Sequence, residues 1–228
     1  MPDSFDQYSS NYNELVDHAI RQTGYETNNL VAAKLQKLKD LFPTLSKQPF
    51  HFLDFGCGVG NLFESLNIYF PQVHYTGVDP SKESILHAKS RFGDQIDFHN
   101  SDSHKWRTLR YDLIFSAGVF HHIPNTQHAT LIQELSTLLQ TNGRLVIWEQ
   151  NPLNPITRKI VNDCEFDFDA VLVSPKTLKD HFENSSLKNV QTIYTTFFPQ
   201  LFSSFSFLDA YLGWLPLGGQ YLVTGQKI

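Results

Sequence analysis

The chain has 228 residues, 41% hydrophobic and 18% charged, with 18 Lys and Arg against 23 Asp and Glu for a formal net charge of −5. That length predicts a single domain over 1–228, large enough to bury most of its apolar surface. An acidic chain without a Lys/Arg block lacks the clustered cations that phosphate neutralisation needs, so nucleic acid is not an expected partner.

The first residues, Met1-Pro2-Asp3-Ser4-Phe5-Asp6, have no basic stretch followed by an apolar run, so no secretory signal is expected and the cytoplasm is the expected compartment. Residues 1–49 read as a helical leader. Within it Val31, Leu35, Leu38 and Phe42 recur at helical spacing up to Pro43. From Phe50 to Glu149, short apolar runs alternate with helix-period segments, the pattern of βαβ units on a parallel sheet. The strands fall at His51–Asp54, His74–Asp79, Ile96–His99, Tyr111–Ser116 and Arg144–Glu149. Between them, Leu62, Phe63, Leu66, Tyr69 and Phe70 form one helical stripe stopped by Pro71. Ile85, Ala88 and Phe92 form another after Pro80-Ser81. Leu131, Ile132, Leu135, Leu138 and Leu139 form a third, stopped by Asn142-Gly143.

Residues 151–228 read as a substrate-side loop, a helix and two last strands. Ser174-Pro175 starts the helix, with Leu178 and Phe182 on its buried face. Val190–Phe198 and Gln220–Thr224 are the strands, which extend a five-strand parallel core to seven. In the connection between them, Leu201, Phe205, Leu208 and Leu212 are spaced as core residues of a helix. The stretch from Phe197 to Val223 is interrupted by Pro199, Gln200, Asp209 and Pro216 and is too short in apolar residues to cross a bilayer. Its aromatics make an apolar acceptor pocket, or membrane-surface contact through 197–216, the functional alternatives to packing.

Phe52-Leu53-Asp54-Phe55-Gly56-Cys57-Gly58-Val59-Gly60-Asn61-Leu62 is a strand running into a glycine elbow and then a helix. Glycine permits both the bend and the approach of a ligand to bare main chain, and the carboxyl end of a first strand is where open α/β sheets bind ligands. The spacing is G-x-G-x-G. A dinucleotide fingerprint requires Gly or Ala at position 61, which is Asn61, and Asp54 would repel a pyrophosphate. An NAD-dependent oxidoreductase is therefore the disfavoured rival, and a cationic ligand suits the site better. Asp79, in Gly77-Val78-Asp79-Pro80-Ser81, can accept both hydroxyls of a ribose. Asp102, in Asn100-Ser101-Asp102-Ser103, can accept from an adenine amino group or act as a turn residue.

In order and spacing, Leu53 to Leu62, Gly77 to Ser81, Ser101 to Ser103, Tyr111 to Pro124 and Gly143 to Trp148 resemble the successive motifs of class I S-adenosylmethionine-dependent methyltransferases, over roughly residues 5–150. The likeness is to the small-molecule branch typified by quinone-biosynthesis methyltransferases. It implies a Rossmann-like, seven-stranded, mostly parallel sheet with an antiparallel last strand and helices on both faces. S-adenosylmethionine is the implied cofactor, S-adenosylhomocysteine the product, and a small molecule the methyl acceptor. The resemblance places Gly56, Gly58 and Gly60 at the methionine part of the cofactor, Asp79 at the ribose, Asp102 and Ser103 at the adenine, and Tyr12 in a lid over the site. Asp54, whose charge suits a cationic ligand, and Pro80, beside Asp79, are further cofactor-binding candidates. A non-catalytic S-adenosylmethionine-binding protein would show the same elbow.

Ser116, Ala117 and Gly118 are small enough to let backbone carbonyls approach a sulfonium. His121 and His122 follow, and a histidine there can take a proton from the acceptor near neutral pH. Both are candidate catalytic residues, with His121 the favoured base; the alternative is that His122 caps or packs at the start of the next helix and His121 shapes the pocket. No metal is expected, because adjacent histidines rarely aim at one ion and no further ligand lies at suitable spacing. Cys57 has no local base and reads as structural, and Cys164 is too distant in sequence to pair with it as a zinc site. Glu149, Gln150 and Asn151 are candidate polar contacts to the acceptor, and Arg158 a candidate partner for an anionic group.

Overall fold

A computed structural model describes residues 27–164, 170–198, 204–205 and 207–228. Tyr12, the proposed lid residue, and Leu201 lie outside them.

The described helices are α1 (Thr27–Leu41), α2 (Asn61–Tyr69), α3 (Lys82–Phe92), α4 (Asn125–Leu138), α5 (Pro155–Asp163), α6 (Pro175–Glu183) and a single turn, α7 (Asp209–Leu212). The strands are β1 (Phe50–Phe55), β2 (Val73–Asp79), β3 (Asp97–Asn100), β4 (Tyr111–Ala117), β5 (Leu139–Gln150), β6 (Leu187–Thr195) and β7 (Gln220–Lys227). They form one seven-stranded sheet in the order β3-β2-β1-β4-β5-β7-β6. All pairs are parallel except those of β7, which runs antiparallel to both β5 and β6.

Local chemistry sets the helix starts. Ser81 caps α3, its hydroxyl accepting from Ser84 N–H at 3.0 Å. Asn154 and Ser174 cap α5 and α6, each followed by proline at the first helical position, where the missing N–H costs nothing. Strand alternation then divides the core. Phe52, Phe115, Val146, Trp148 and Leu222 face α1, α2 and α3, whereas Leu53, Ile114, Leu145, Ile147 and Val223 face α4 and α6. The chain leaves β1 toward β2 and β3 with helices on the first face, then returns to β4 and continues with helices on the second. Between β1 and β4 the strand order reverses, which opens a crevice at their carboxyl ends.

Two expectations change. Asn142-Gly143 does not stop a helix; α4 ends at Leu138, and β5 begins at Leu139, 5 residues before Arg144. Leu139 pairs with Tyr111, and Gly143 passes so close to it that an added Cβ would stand 2.8 Å from the Tyr111 carbonyl oxygen, beside the register shift between Tyr111 and Leu113. The connection after β6 leaves several of its described aromatics uncovered. Phe205, Phe207, Tyr211 and Trp214 are exposed, and Leu208 and Leu212 are half-buried.

Candidate active site

The elbow after β1 is held from below by β2: the Val78 carbonyl accepts from Gly56 N–H at 2.7 Å and from Cys57 N–H at 3.0 Å. Gly56, Gly58 and Gly60 all have positive φ, at 85°, 52° and 83°. Their surroundings differ. A Cβ on Gly56 would lie 2.2 Å from a Val119 methyl, so this glycine lets the β1 elbow touch the turn after β4. A Cβ on Gly60 would lie 2.8 Å from the Phe92 ring, so its bareness lets α2 start against α3. At Gly58 a Cβ would meet nothing within 4 Å, which leaves this stretch of main chain open to a ligand.

Asp79 ends β2 and reaches back to the elbow. Its Oδ2 accepts from Gly58 N–H and its Oδ1 from Ser81 N–H, both at 2.9 Å. Asp54 sits beneath, 4% exposed, with Tyr75 Oη donating to its Oδ2 at 2.9 Å. Burial pushes the Asp54 carboxyl up to about 7, opposed by the Tyr75 hydrogen bond, raised further by the charge of Asp79 and lowered by that of Lys34. Asp102 is exposed and its carboxylate makes no hydrogen bond among the described residues, while the Ser103 hydroxyl accepts from Lys105 N–H at 3.3 Å. Pro80 is exposed beside them, its carbonyl accepting from Asn100 Nδ2.

Across the crevice, β4 ends at Ala117. The Ser116 hydroxyl is buried and has no partner among the described residues, and Gly118 turns the chain with φ 69°. His121 follows in a short 3-10 turn over Phe120–His122. Its ring is buried, with Nδ1 2.5 Å from Glu149 Oε2 and the His122 ring centroid 4.2 Å away. The other Glu149 oxygen accepts from Val119 N–H at 3.0 Å and Phe120 N–H at 2.8 Å. Gln150 Oε1 is also buried and has no partner among the described residues.

Several sequence-derived contacts move to structural roles. Glu149, 1% exposed, is committed to the turn carrying His121 and does not face an acceptor. Asn151 is fully buried and ties down the segment before β7, donating from Nδ2 to the carbonyls of Pro216 and Gly218. Arg158 is exposed on α5. Burial raises the Cys57 thiol well above its usual range, as a structural cysteine requires. Among the described residues no group of His, Cys, Asp and Glu could hold a metal ion, and no helix is long and apolar enough to cross a membrane.

Lys34 escaped the sequence reading. It is partly buried on α1, where burial lowers its amine from the usual lysine value while Glu149 and Asp54 raise it. The signal was present, since position 34 lies three residues after Val31 and four before Leu38 on the inward face.

A family model described as a methyltransferase domain matches residues 53–145, which contain the elbow, Asp79, Asp102 and the histidine pair. Over these residues the chain is similar to a methyltransferase domain. Trans-aconitate 2-methyltransferases are among its relatives: one from Rhodopseudomonas palustris is 27% identical over 118 residues, covering 52% of this chain and 45% of that protein. One from Escherichia coli is 34% identical over 95 residues, covering 41% and 36%. The chain spans less than half the length of these curated relatives. The fold extends beyond the methyltransferase domain match: a SAM-dependent methyltransferase from Archaeoglobus fulgidus superposes with a TM-score of 0.70 at 18% identity, over 95% of this chain and all of that one. The plantazolicin methyltransferase solved with SAH gives 0.64 at 16% identity, over 98% and 94%.

Proposed function

We propose that the chain transfers a methyl group from S-adenosylmethionine to a small, partly apolar acceptor. The observation that carries this reading is the open main chain at Gly58, clasped by Asp79 and underlain by buried Asp54. A cofactor that joins a sulfonium and an ammonium to a nucleoside fits this donor and acceptor set. Buried Asp54 would balance the cation once ionised by it, Asp79 is the candidate acceptor for the ribose hydroxyls, Asp102 and Ser103 are the candidates for the adenine edge, and Gln150 offers a buried acceptor. An NAD pyrophosphate fits poorly against the same carboxylates.

S-adenosylmethionine supplies an activated methyl group, transferred by in-line displacement. The chain's own task is orientation and, where the acceptor arrives protonated, removal of that proton. His121 is suited to the second role. With Nδ1–H donated to Glu149, the lone pair is on Nε2, and the carboxylate stabilises the imidazolium formed when Nε2 takes a proton.

A second reading of the acceptor rests on Lys34. A partly buried ammonium beside Asp54 and Glu149 can also receive a carboxylate, as a small organic acid would present. Product masses after incubation with S-adenosylmethionine and pools of phenols or organic acids test both readings, and Lys34→Met raises KM only for acid acceptors. Thermal stabilisation by NAD but not by S-adenosylhomocysteine would overturn the cofactor assignment; stabilisation by S-adenosylhomocysteine without turnover of any pool would leave a binding protein.

A further inference from the structure

We propose that His128 is a positioning residue for His121, an inference that rests on reading His121 as the base of the proposed methyl transfer. His128 lies in the first turn of α4 and is fully buried, while its neighbours from Pro124 to Gln127, and Ala129 and Thr130, are exposed. It heads the inward stripe that continues through Ile132 and Leu135, a place where an apolar side chain would pack without desolvating a polar group. The imidazole has a polar task instead. Its Nε2 is 2.9 Å from the carbonyl oxygens of both Phe120 and Ile123. Carbonyls accept and never donate, so Nε2 carries the proton and donates to both. Nδ1 is buried with no hydrogen-bond partner among the described residues, so the ring's hydrogen bonds there all go to the turn.

Those two carbonyls flank the histidine pair. Within the turn, the Val119 carbonyl accepts from His122 N–H at 3.0 Å and the Phe120 carbonyl from Ile123 N–H at 3.1 Å. So short a 3-10 piece has poor hydrogen-bond geometry and needs support from outside. Glu149 supplies it from β5, through the N–H groups of Val119 and Phe120, and His128 supplies it from α4, through the carbonyls of Phe120 and Ile123. Phe120 is thus gripped at both of its backbone groups. The peptide unit that carries its carbonyl also carries His121 N–H, so fixing that plane fixes the direction in which the His121 side chain leaves the main chain. The His128 ring is itself confined, with the Phe120 ring centroid 5.2 Å away and the His181 ring of α6 at 6.2 Å, nearly perpendicular. An error of about 1 Å in placing a reacting group costs about a hundredfold in rate, so a brace behind the turn governs turnover.

The test compares the full chain with His128→Leu, which continues the apolar stripe and removes the donor, and with His128→Gln, whose amide N–H reaches the place of Nε2. The Nδ1–H of His121, hydrogen-bonded to Glu149, gives a downfield proton resonance in nitrogen-15-labelled protein, assigned by its loss in His121→Phe. That resonance is expected in the unsubstituted chain and in His128→Gln, and broadened or lost in His128→Leu. Affinity for S-adenosylhomocysteine should stay within about twofold in all three, because the elbow and Asp79 are untouched. With an acceptor that is turned over, kcat should fall by about tenfold to a hundredfold in His128→Leu at unchanged KM for S-adenosylmethionine, and recover to within about threefold in His128→Gln. If His128→Leu does not fold, His128→Met takes its place, since a thioether side chain adapts to the same space. Retention of the resonance and of kcat in His128→Leu, or equal losses in His128→Leu and His128→Gln, would overturn the inference. The resonance needs no acceptor: its loss in His128→Leu supports the brace even where the unsubstituted chain turns over none, a result that overturns the methyl-transfer reading instead.

Discussion

Glu149 binds His121 and the backbone of the turn that carries it: one carboxylate oxygen lies 2.5 Å from His121 Nδ1, and the other accepts from Val119 and Phe120 N–H. Position and tautomer of the imidazole are thus fixed by one residue of the neighbouring strand. Glu149→Gln can keep an oxygen toward the two N–H groups, but its amide then donates to Nδ1 and moves the imidazole proton to Nε2. Turnover is expected to fall by about a hundredfold while the affinity for S-adenosylhomocysteine is retained. A purely structural role predicts a lower melting temperature and little loss in kcat. Glu149→Ala, which strands a buried imidazole and two N–H groups, is expected to destabilise by about 3–5 kcal/mol in denaturant titration.

Asp79 is the hinge between the elbow and β2. Removing its carboxylate frees the N–H groups of Gly58 and Ser81 and deletes the acceptors offered to a ribose. Asp79→Ala is expected to weaken S-adenosylhomocysteine binding by about ten- to a hundredfold in calorimetry, since charged hydrogen bonds contribute about 1.5–3 kcal/mol each and about 1.4 kcal/mol is a tenfold change. Asp79→Asn, which keeps one acceptor oxygen, should fall between. Equal affinity in all three proteins would refute the assignment.

Most of the sheet and the elbow were legible because local signals agreed with the tertiary result. Alternating apolar runs, Pro71, the Ser81 cap and the Ser174-Pro175 start each demand the same local geometry wherever they occur. The start of β5 was not, since Leu138 and Leu139 continue a helical period and only the pairing of Leu139 with Tyr111 draws the second leucine into the sheet. Burial around α7 was misjudged for a related reason: periodicity reports a shared face, not whether another element covers it. Glu149 looked like an acceptor contact because position at a strand end does not reveal whether a carboxylate turns toward the cleft or toward its own neighbours. Lys34 was missed because its spacing from Val31 and Leu38 shows that it lies on the inward face of α1 but not that this face meets Asp54.

Two glycines in the same elbow should respond differently to one methyl group. Gly56→Ala forces a Cβ into the Val119 side chain at a φ that already disfavours alanine, so elbow and β4 turn must separate. A loss of about 2–4 kcal/mol in stability is expected, together with loss of binding. Gly58→Ala meets no neighbour and bears only the left-handed backbone cost, about 1 kcal/mol. Its methyl group occupies the space left for a ligand, so binding of S-adenosylhomocysteine should fall much further than the melting temperature. Parallel losses in both variants would mean that Gly58 serves only the turn.

The buried carboxyl of Asp54 makes the ligand-free protein sensitive to pH in a direction opposite to ordinary surface acids. Its ordinary value is 3.8 and burial raises it to about 7, so between these limits the folded chain holds a proton that the unfolded chain has released. Stability from this group is therefore full below about pH 4, declines as pH rises and levels off above about 7, a total of at most about 4 kcal/mol. His99 and His181, both lowered by burial, act in the other direction, removing stability as pH falls through 6.5. Asp54→Asn should abolish the decline between about pH 4 and 7 and leave the loss that His99 and His181 cause below about pH 6.5, in melts from pH 4 to 8. A cationic ligand reverses the preference, because its charge stabilises the ionised carboxylate. S-adenosylmethionine affinity should accordingly rise as pH passes through about 7, more steeply than that of S-adenosylhomocysteine, which lacks the sulfonium, and Asp54→Asn should remove the difference. If the two ligands followed the same pH curve in the unsubstituted protein, Asp54 would not be sensing the sulfonium charge.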